Sequence, residues 1–421
     1  MRKRIIQIEE RPSLLESIPL SFQHLFAMFG ASVLVPMLFK IDVGTVLLFI
    51  GIGTLIYLIL CQGKVPAYLG SSFAFLSPVF AVMAGHNYEM ALGGFIASGI
   101  LFMCVASLIK IFGYKWINVV FPPASMGAIV AIIGLELAPV AADMAGLTAK
   151  TLDAKVITVS MITFGVVVFG SVLFRGFLAV IPILIAIIVG YLAATLLGLV
   201  DYSAVGSAAF FQMPTFYSPQ FDVAAIITIL PAAFVVIAEH IGHFIVTERI
   251  VDRPLMKDPG MHRSLMGDGF STTLSGFFGS VPTTTYGENI GVMAITRVYS
   301  VWVIGGAAII SILLAFMGQF TALIRTIPVP VMGGVSLLLF GVIAASGIRM
   351  LVESKVDYSK PKNLILTSIV LIIGLSGAHL DLGTVSLKGM ALATLLSIAV
   401  SLLFEVFERL GWLSSHDIME P

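Results

Sequence analysis

Two glutamates set in apolar surroundings carry the chemistry that can be read from this chain. Glu288 lies in Pro282-Thr283-Thr284-Thr285-Tyr286-Gly287-Glu288-Asn289-Ile290-Gly291, inside a membrane-length apolar region. Glu239 lies in Ala238-Glu239-His240-Ile241-Gly242-His243. An acidic residue at the centre of a membrane span costs roughly 2.5–3.5 kcal/mol on insertion scales, so it marks a functional site by default. Backbone broken at membrane depth survives only where protein or a wet cavity satisfies its N–H and C=O groups. A buried acid beside backbone loosened by Gly and Pro is therefore a binding-site signal. The chemistry on offer is hydrogen bonding and proton exchange. A carboxylate accepts from N–H groups, and a protonated carboxyl donates to a carbonyl. Glu239 and His243 are spaced i, i+4 and share a helix face, while His240 points elsewhere. Imidazole titrates near physiological pH in water, so His243 can relay a proton taken by Glu239.

Other chemistries find less support. Glu239-His240-x-x-His243 is not HExxH and has no third clustered ligand, so no metal site is expected. No nucleophile–base pair stands out, so catalytic residues are not expected and neither is a cofactor. Lys plus Arg equals Asp plus Glu at 23 each, and no basic patch supports nucleic-acid binding. Cys61 and Cys104 read as small membrane residues and not as a disulfide or metal pair. Asp268 is a further acid near membrane depth. Glu136, followed by Leu137-Ala138-Pro139, reads as a helix-end residue. Phe73 sits in a Gly-Ser-rich break, Gly70-Ser71-Ser72-Phe73, which favours a stacking or backbone-donor role over plain core packing.

The elements that position these groups are membrane spans. The chain has 421 residues, 58% hydrophobic and 11% charged, with mean hydropathy +1.06, which excludes an ordinary soluble domain. Fourteen candidate spans start near Ser17, Gly44, Pro66, Ala91, Val120, Val156, Phe177, Val223, His262, Pro282, Trp302, Pro328, Asn363 and Val385. The run from Ser17 to Phe39 is long for a signal h-region and is taken as the first span. With the N-terminus in the cytoplasm, 18 of the 23 Lys and Arg fall on the cytoplasmic side, a strong positive-inside bias that also places the C-terminus there.

Three weak internal matches recur at offsets near 210 residues. Pro122-Pro-Ala-Ser-Met126 resembles Pro328-Val-Pro-Val-Met332, the break at Ser71–Phe73 matches that at Tyr286, and Gln23-His24 matches Glu239-His240. The common offset suggests two halves of seven spans, joined by the polar loop 201–222. An odd span number inverts one half against the other. Inverted repeats with paired interrupted spans point to a secondary transporter, with its site where the breaks meet.

The stretch from Glu288 to Arg297, acid-Asn-x-Gly-x4-Thr-Arg, resembles the signature of the nucleobase–ascorbate transporter (nucleobase:cation symporter-2) family. PLSFQHLFAMFGASVLVP, PAYLGSSFAF, AEHIGH, TTYGENIGVMAITRVYS and VPVMGGVSLLLFG extend the likeness, chiefly to bacterial uracil-transporting members, over nearly the whole chain. The resemblance implies an all-α polytopic protein of fourteen spans in two inverted seven-span repeats. Short antiparallel strands would pair in the broken spans 3 and 10. Residues 13–112 and 220–322 would form a core domain, and residues 113–200 and 323–410 a gate domain. It further implies proton-coupled import of uracil across the bacterial cytoplasmic membrane by alternating access, with the proton as coupling ion, and a homodimer formed through the gate.

By position, Glu239 and Glu288 would hold the base, Phe73 and Gly287 would offer backbone N–H groups, and Tyr286 would line the pocket. Glu239, His243 and Asp268 would share proton coupling. Ser72, a possible polar partner of His243, would support the site with His24 and Asn289. Two positions depart from the pattern. Asp268 matches an acid of purine-transporting members where many uracil-transporting ones have Asn, and Phe340 stands where some have Tyr. Uracil fits the chemistry, because carboxylates accept from its N–H groups and fixed backbone donors meet its carbonyls. The competing readings are a xanthine or uric acid symporter, which Asp268 favours, and an anion transporter of similar fold. Two carboxylates in the site speak against the latter.

Overall fold

The computed structural model describes residues 5–382 and 385–412 and is mostly helical. Among the described residues, seven helices are long and apolar enough to cross a membrane: Val43–Leu60, Tyr88–Phe112, Pro123–Met144, Ala154–Leu173, Val223–Val251, Val329–Glu353 and Gly389–Arg409. Leu14–Ala27 and Phe29–Phe39 make an eighth if taken together, bent by 42° at Met28. Shorter apolar helices cover Phe73–Met83, Pro182–Leu196, Val301–Ala315 and Pro361–Leu375. Met261–Phe278 and Gly287–Thr296 complete the set around the site.

Local chemistry fixes several of these boundaries. The Asp42 carboxylate accepts from Gly44 N–H at 2.9 Å and starts Val43–Leu60. Asp222 does the same for Val223–Val251, accepting from Ala225 N–H at 2.8 Å. The expected last span starts later than its apolar pattern suggests. Val385–Lys388 pairs antiparallel with His379–Leu382 as a hairpin, and the helix begins only at Gly389, whose φ is +54. Val385-Ser386-Leu387 alternates apolar and polar, the two-residue period of a strand.

Packing separates the helices into two sets. Val43–Leu60, Tyr88–Phe112, Met261–Phe278 and Val301–Ala315 pack on one another, with Leu14–Ala27 against Val301–Ala315. Pro123–Glu136, Ala154–Leu173, Pro182–Leu196 and Val329–Glu353 form the second set, with Pro361–Leu375 against Pro123–Glu136 and Gly389–Arg409. Val223–Val251 runs along Tyr88–Phe112 and also touches Pro123–Glu136 and Gly389–Arg409.

Two three-residue strands cross the chain to meet at the centre. Strand β1, Leu69–Ser71, pairs antiparallel with strand β2, Thr283–Thr285, in the register Leu69 to Thr285 and Ser71 to Thr283. Ser72 N–H extends the ladder by donating to Pro282 O at 2.9 Å. Three β-branched threonines suit β2, and Pro282 sits just before the strand, where its missing N–H removes no ladder bond. Gly70 lets the Tyr286 ring lie directly on the backbone of β1. Of the three, Thr283 is held from the neighbouring helix. Thr283 N–H donates to Thr272 Oγ1 at 3.1 Å, and Thr283 Oγ1 donates to Ser271 Oγ at 2.8 Å.

Candidate functional site

Each strand runs into a helix whose first turn faces the same space. After β1 the chain turns at Ser72 into a 3-10 turn from Phe73 that continues as Leu76–Met83. After β2 it turns at Tyr286 into Gly287–Thr296. Neither Ser72 nor Tyr286 caps its helix with a side chain. The leading N–H groups of both helices are thus not satisfied by caps, and helix N-termini favour acceptor or anionic ligands. Phe73 and Tyr286 therefore stand one or two residues past the strands and not within them, which corrects the simplest reading of the paired breaks.

A cavity of about 220 Å³ opens at this junction. Phe73, Ala74, Thr284, Tyr286, Gly287, Glu288, Glu239 and His243 line one side. Val130, Ile133, Val342, Ile343, Ser346 and Arg349 line the other. Both carboxylates are half-buried on the cavity wall, Glu239 from Val223–Val251 and Glu288 from the first turn of Gly287–Thr296. The cavity reaches the surface at Arg349, whose side chain is 72% exposed and ion-paired to Glu353 at 2.6 Å.

Hydrogen bonds fix the walls. Tyr286 Oη donates to Ser71 O, locking the ring over β1. The Phe73 ring meets Tyr286 edge-on at 6.2 Å and Phe340 at 5.8 Å. Phe340 is thus a buried ring behind Phe73 and offers no hydroxyl. His243 Nδ1–H donates to Thr285 O at 2.8 Å, which leaves the Nε2 edge facing Gly287. A methyl on Gly287 would stand 3.2 Å from that Nε2.

The remaining expected residues lie one layer back. His24 and Asn289 are buried and bonded to each other at 2.9 Å, Asn289 Nδ2–H donating to His24 Nδ1. That pair ties Leu14–Ala27 to the helix that bears Glu288. Ser72 is buried, but its hydroxyl has no hydrogen-bond partner, and the His243 ring bonds Thr285 instead. Asp268 is fully buried outside the cavity, with His240 Nδ1 3.2 Å from its Oδ2. Glu136 ends its helix as expected and does more: Ser77 Oγ donates to it at 2.6 Å and Met390 N–H at 3.1 Å.

Sequence reasoning misses the second wall altogether. Val342, Ser346 and Arg349 recur at i, i+4 and i+7, one face of a helix. A single small hydroxyl on that stripe gives little signal against lipid-facing or core residues. Thr284 escapes because three identical residues do not show which one faces the cavity. Among the described residues no cluster of three or more His, Cys, Asp or Glu is arranged to hold a metal ion.

Comparison with known proteins places this geometry. A family model described as "Permease family" matches residues 15–383. The uracil permease of Escherichia coli strain K12 is 62% identical over 413 residues, 97% of this chain and 96% of that one. The uracil permease of Paenibacillus larvae is 60% identical over 418 residues, 98% and 99% of the two chains. That of Bacillus caldolyticus is 44% identical over 412 residues, 96% and 95%. Among solved structures, the transmembrane domain of the cyanobacterial bicarbonate transporter BicA aligns with a TM-score of 0.61 at 14% identity, covering 98% of this chain and 100% of that one. The murine Solute Carrier 26 family member A9 anion transporter, inward-facing, gives 0.70 at 10% identity, covering 95% and 69%. At such low identity these two report the fold alone. With its family model matched over most of its length, the chain belongs to the nucleobase–ascorbate transporter family, multi-pass membrane permeases and not enzymes.

Proposed function

We propose that this protein is a proton-coupled symporter that imports uracil across the bacterial cytoplasmic membrane. The observation that carries the reading is the placement of Glu239 and Glu288 on one small cavity, beside two helix N-termini without side-chain caps. Uracil is a flat ring edged with N–H donors and carbonyl acceptors. The two carboxyl groups accept from its N–H groups, the backbone N–H groups of Phe73 and Gly287 donate to its carbonyls, and Tyr286 and Phe73 supply ring contact. A cavity below the ~300–1,000 Å³ typical of drug-sized ligands suits a single-ring base. Near-full-length identity to three proteins named uracil permease points the same way. Asp268 favoured a purine on sequence grounds, but it lies outside the cavity and so bears on substrate choice only indirectly.

The origin of the two walls supports transport by alternating access. Phe73, Glu239 and Glu288 come from residues 13–112 and 220–322, the core. Val130, Ile133 and Val342 to Arg349 come from residues 113–200 and 323–410, the gate. Rocking one against the other would open the site to each side in turn. Fourteen spans in two inverted repeats, both termini cytoplasmic, and a homodimer through the gate complete the proposal. The antiparallel pairing of β1 with β2 supports an inversion of the halves.

The test is uptake of labelled uracil into vesicles, competed by xanthine and by sulfate, with and without an inward proton gradient. Uptake that rises with the gradient, collapses with a protonophore and yields only to pyrimidine bases supports the proposal. Competition by sulfate, or uptake indifferent to the gradient, overturns it.

A further inference from the structure

The carboxylate of Glu136 joins two parts of the molecule. Its Oε2 accepts from Met390 N–H at 3.1 Å, in the first turn of Gly389–Arg409, whose start has no side-chain cap of its own. Gly389 makes the approach possible, since a methyl there would overlap the carboxylate. A carboxylate at a helix N-terminus satisfies an orphan N–H and faces the positive end of the helix dipole. This contact stays within the second packing set, where Pro123–Glu136 and Gly389–Arg409 touch. The other contact leaves it. Glu136 Oε1 accepts from Ser77 Oγ at 2.6 Å, and Ser77 stands on Leu76–Met83, which packs on Tyr88–Phe112 and Val223–Val251.

Helix periodicity places this bond relative to the substrate cavity. Phe73 and Ala74 line one wall, and Ser77 follows them four and three residues on. Ile133 lines the other wall, and Glu136 follows three residues on. Residues three or four apart are neighbours on one helix face. Both walls are thus prolonged by one turn, and they meet in the Ser77–Glu136 bond. That end lies opposite the mouth. Pro123–Glu136 and Val329–Glu353 run antiparallel, because a methyl on Gly134 would touch Phe340 O and one on Gly127 would touch Gly347 O. Glu136 is therefore at the Phe340 end of its neighbour, away from Arg349, where the cavity reaches the surface. A void beside the bond, lined by Ser77, Pro78, Thr228, Lys388 and Met390, measures about 10 Å³, room for one water and not for a base.

We propose that the Ser77–Glu136 hydrogen bond seals the substrate cavity at the end away from Arg349, joining core to gate in this access state and breaking when the site turns to that side. It rests on the alternating-access reading above. In the proposed topology Arg349 is cytoplasmic, so the seal faces outside. The two contacts of Glu136 divide the work. The bond to Met390 lies within the gate and holds the carboxylate in place in both states, whereas the bond to Ser77 is made in one state alone. Its length is that of an O–H donor on a charged acceptor, the stronger class of hydrogen bond. A contact made in one state only weights the balance towards that state. Ser77 follows Phe73 on one continuous helical run, so whatever moves the seal moves a cavity wall with it.

The test is the sidedness of access in the full-length chain. Val342→Cys, on the gate wall of the cavity, is placed in a Cys104→Ser background, because Cys104 is exposed whereas Cys61 is buried. Labelling by a small charged methanethiosulfonate reagent is timed in right-side-out and in inverted vesicles. The expected result is that Ser77→Ala raises the ratio of outside to cytoplasmic labelling about tenfold or more, the weight of one hydrogen bond to a charged group. Ser77→Thr restores the ratio. Ser397→Ala, which deletes a 2.8 Å bond to Ser125 inside the gate, leaves it unchanged. Glu136→Ala would also uncap the last helix, so Ser77 is the position that decides. A ratio unmoved in Ser77→Ala overturns the proposal, and an equal rise in Ser397→Ala overturns it as general loosening. Uptake of labelled uracil is followed in the same right-side-out vesicles with the unsubstituted chain. No uptake overturns the transport reading and the seal with it, whereas an unmoved ratio beside active uptake overturns the seal alone.

Discussion

Gly70→Ala tests whether the strand pair sets the substrate wall. A methyl at Gly70 would stand 2.5 Å from Tyr286 Cε2, 2.6 Å from Cδ2 and 3.0 Å from the Met28 terminal carbon. To regain ordinary separation the ring must retreat by about 1 Å. Away from the cavity it has little room, because Tyr286 is 5% exposed and already meets the Phe73 ring edge-on. The retreat breaks the hydroxyl bond to Ser71 O, about 0.5–1.5 kcal/mol, and adds overpacking strain of about 1–3 kcal/mol. The ring also moves towards the cavity, where uracil would lie. Each 1.4 kcal/mol is a factor of ten in affinity, so uracil binding by calorimetry should weaken about tenfold or more. Tyr286→Phe is the comparison: it loses the hydroxyl bond alone and should weaken binding by less than about tenfold. Wild-type affinity and an unchanged melting temperature in Gly70→Ala would refute the reasoning.

Three further outcomes are expected. Glu288→Ala should lose about 1–3 kcal/mol of uracil binding, more if the carboxylate is charged, while inserting and purifying normally; calorimetry at wild-type affinity would end its role. Glu239→Gln, where it still binds, should retain uracil exchange and lose gradient-driven accumulation in vesicles; accumulation at the wild-type level would assign the proton elsewhere. Gly389→Ala must hold φ near +54 with a side chain and drives its methyl onto the Glu136 carboxylate. It should lower stability by about 1–3 kcal/mol, seen as a lower melting temperature in detergent; an unshifted transition would show that the contact yields freely.

The sequence discloses this site to the extent that membrane burial makes polarity expensive. Glu239, Glu288, Tyr286 and Phe73 stand out because an acid, or a Gly-Ser break, is anomalous in an apolar span, and all four line the cavity. His243 is found from its i, i+4 spacing to Glu239. Asp268 stands out for the same reason as the glutamates, yet it faces His240 behind the site, since cost of burial reports depth and not direction. Ser72 is adjacent to Phe73 in sequence, but Phe73 lines the cavity whereas Ser72 is buried off it with its hydroxyl unpartnered. The apolar wall from Val130 to Ile343 is invisible, because Val and Ile in a span look the same against lipid, core or ligand. The hairpin at His379–Lys388 is masked in a similar way: a short alternating run before a long apolar helix merges with it in any hydropathy window.

The pairing of Leu69–Ser71 with Thr283–Thr285 also bears on how the protein is made. The partners are separated by about 210 residues, and at roughly 5–20 residues per second the second strand emerges some 10–40 s after the first. Until then β1 sits in a nascent chain with its edge unpaired, and each unsatisfied backbone group in hydrocarbon costs several kcal/mol. The early chain must shelter that edge in the translocon, among water, or against its own helices. A ribosome that stops before Thr283 therefore releases a fragment with an open strand edge, a template for pairing with another chain and a mark for quality control.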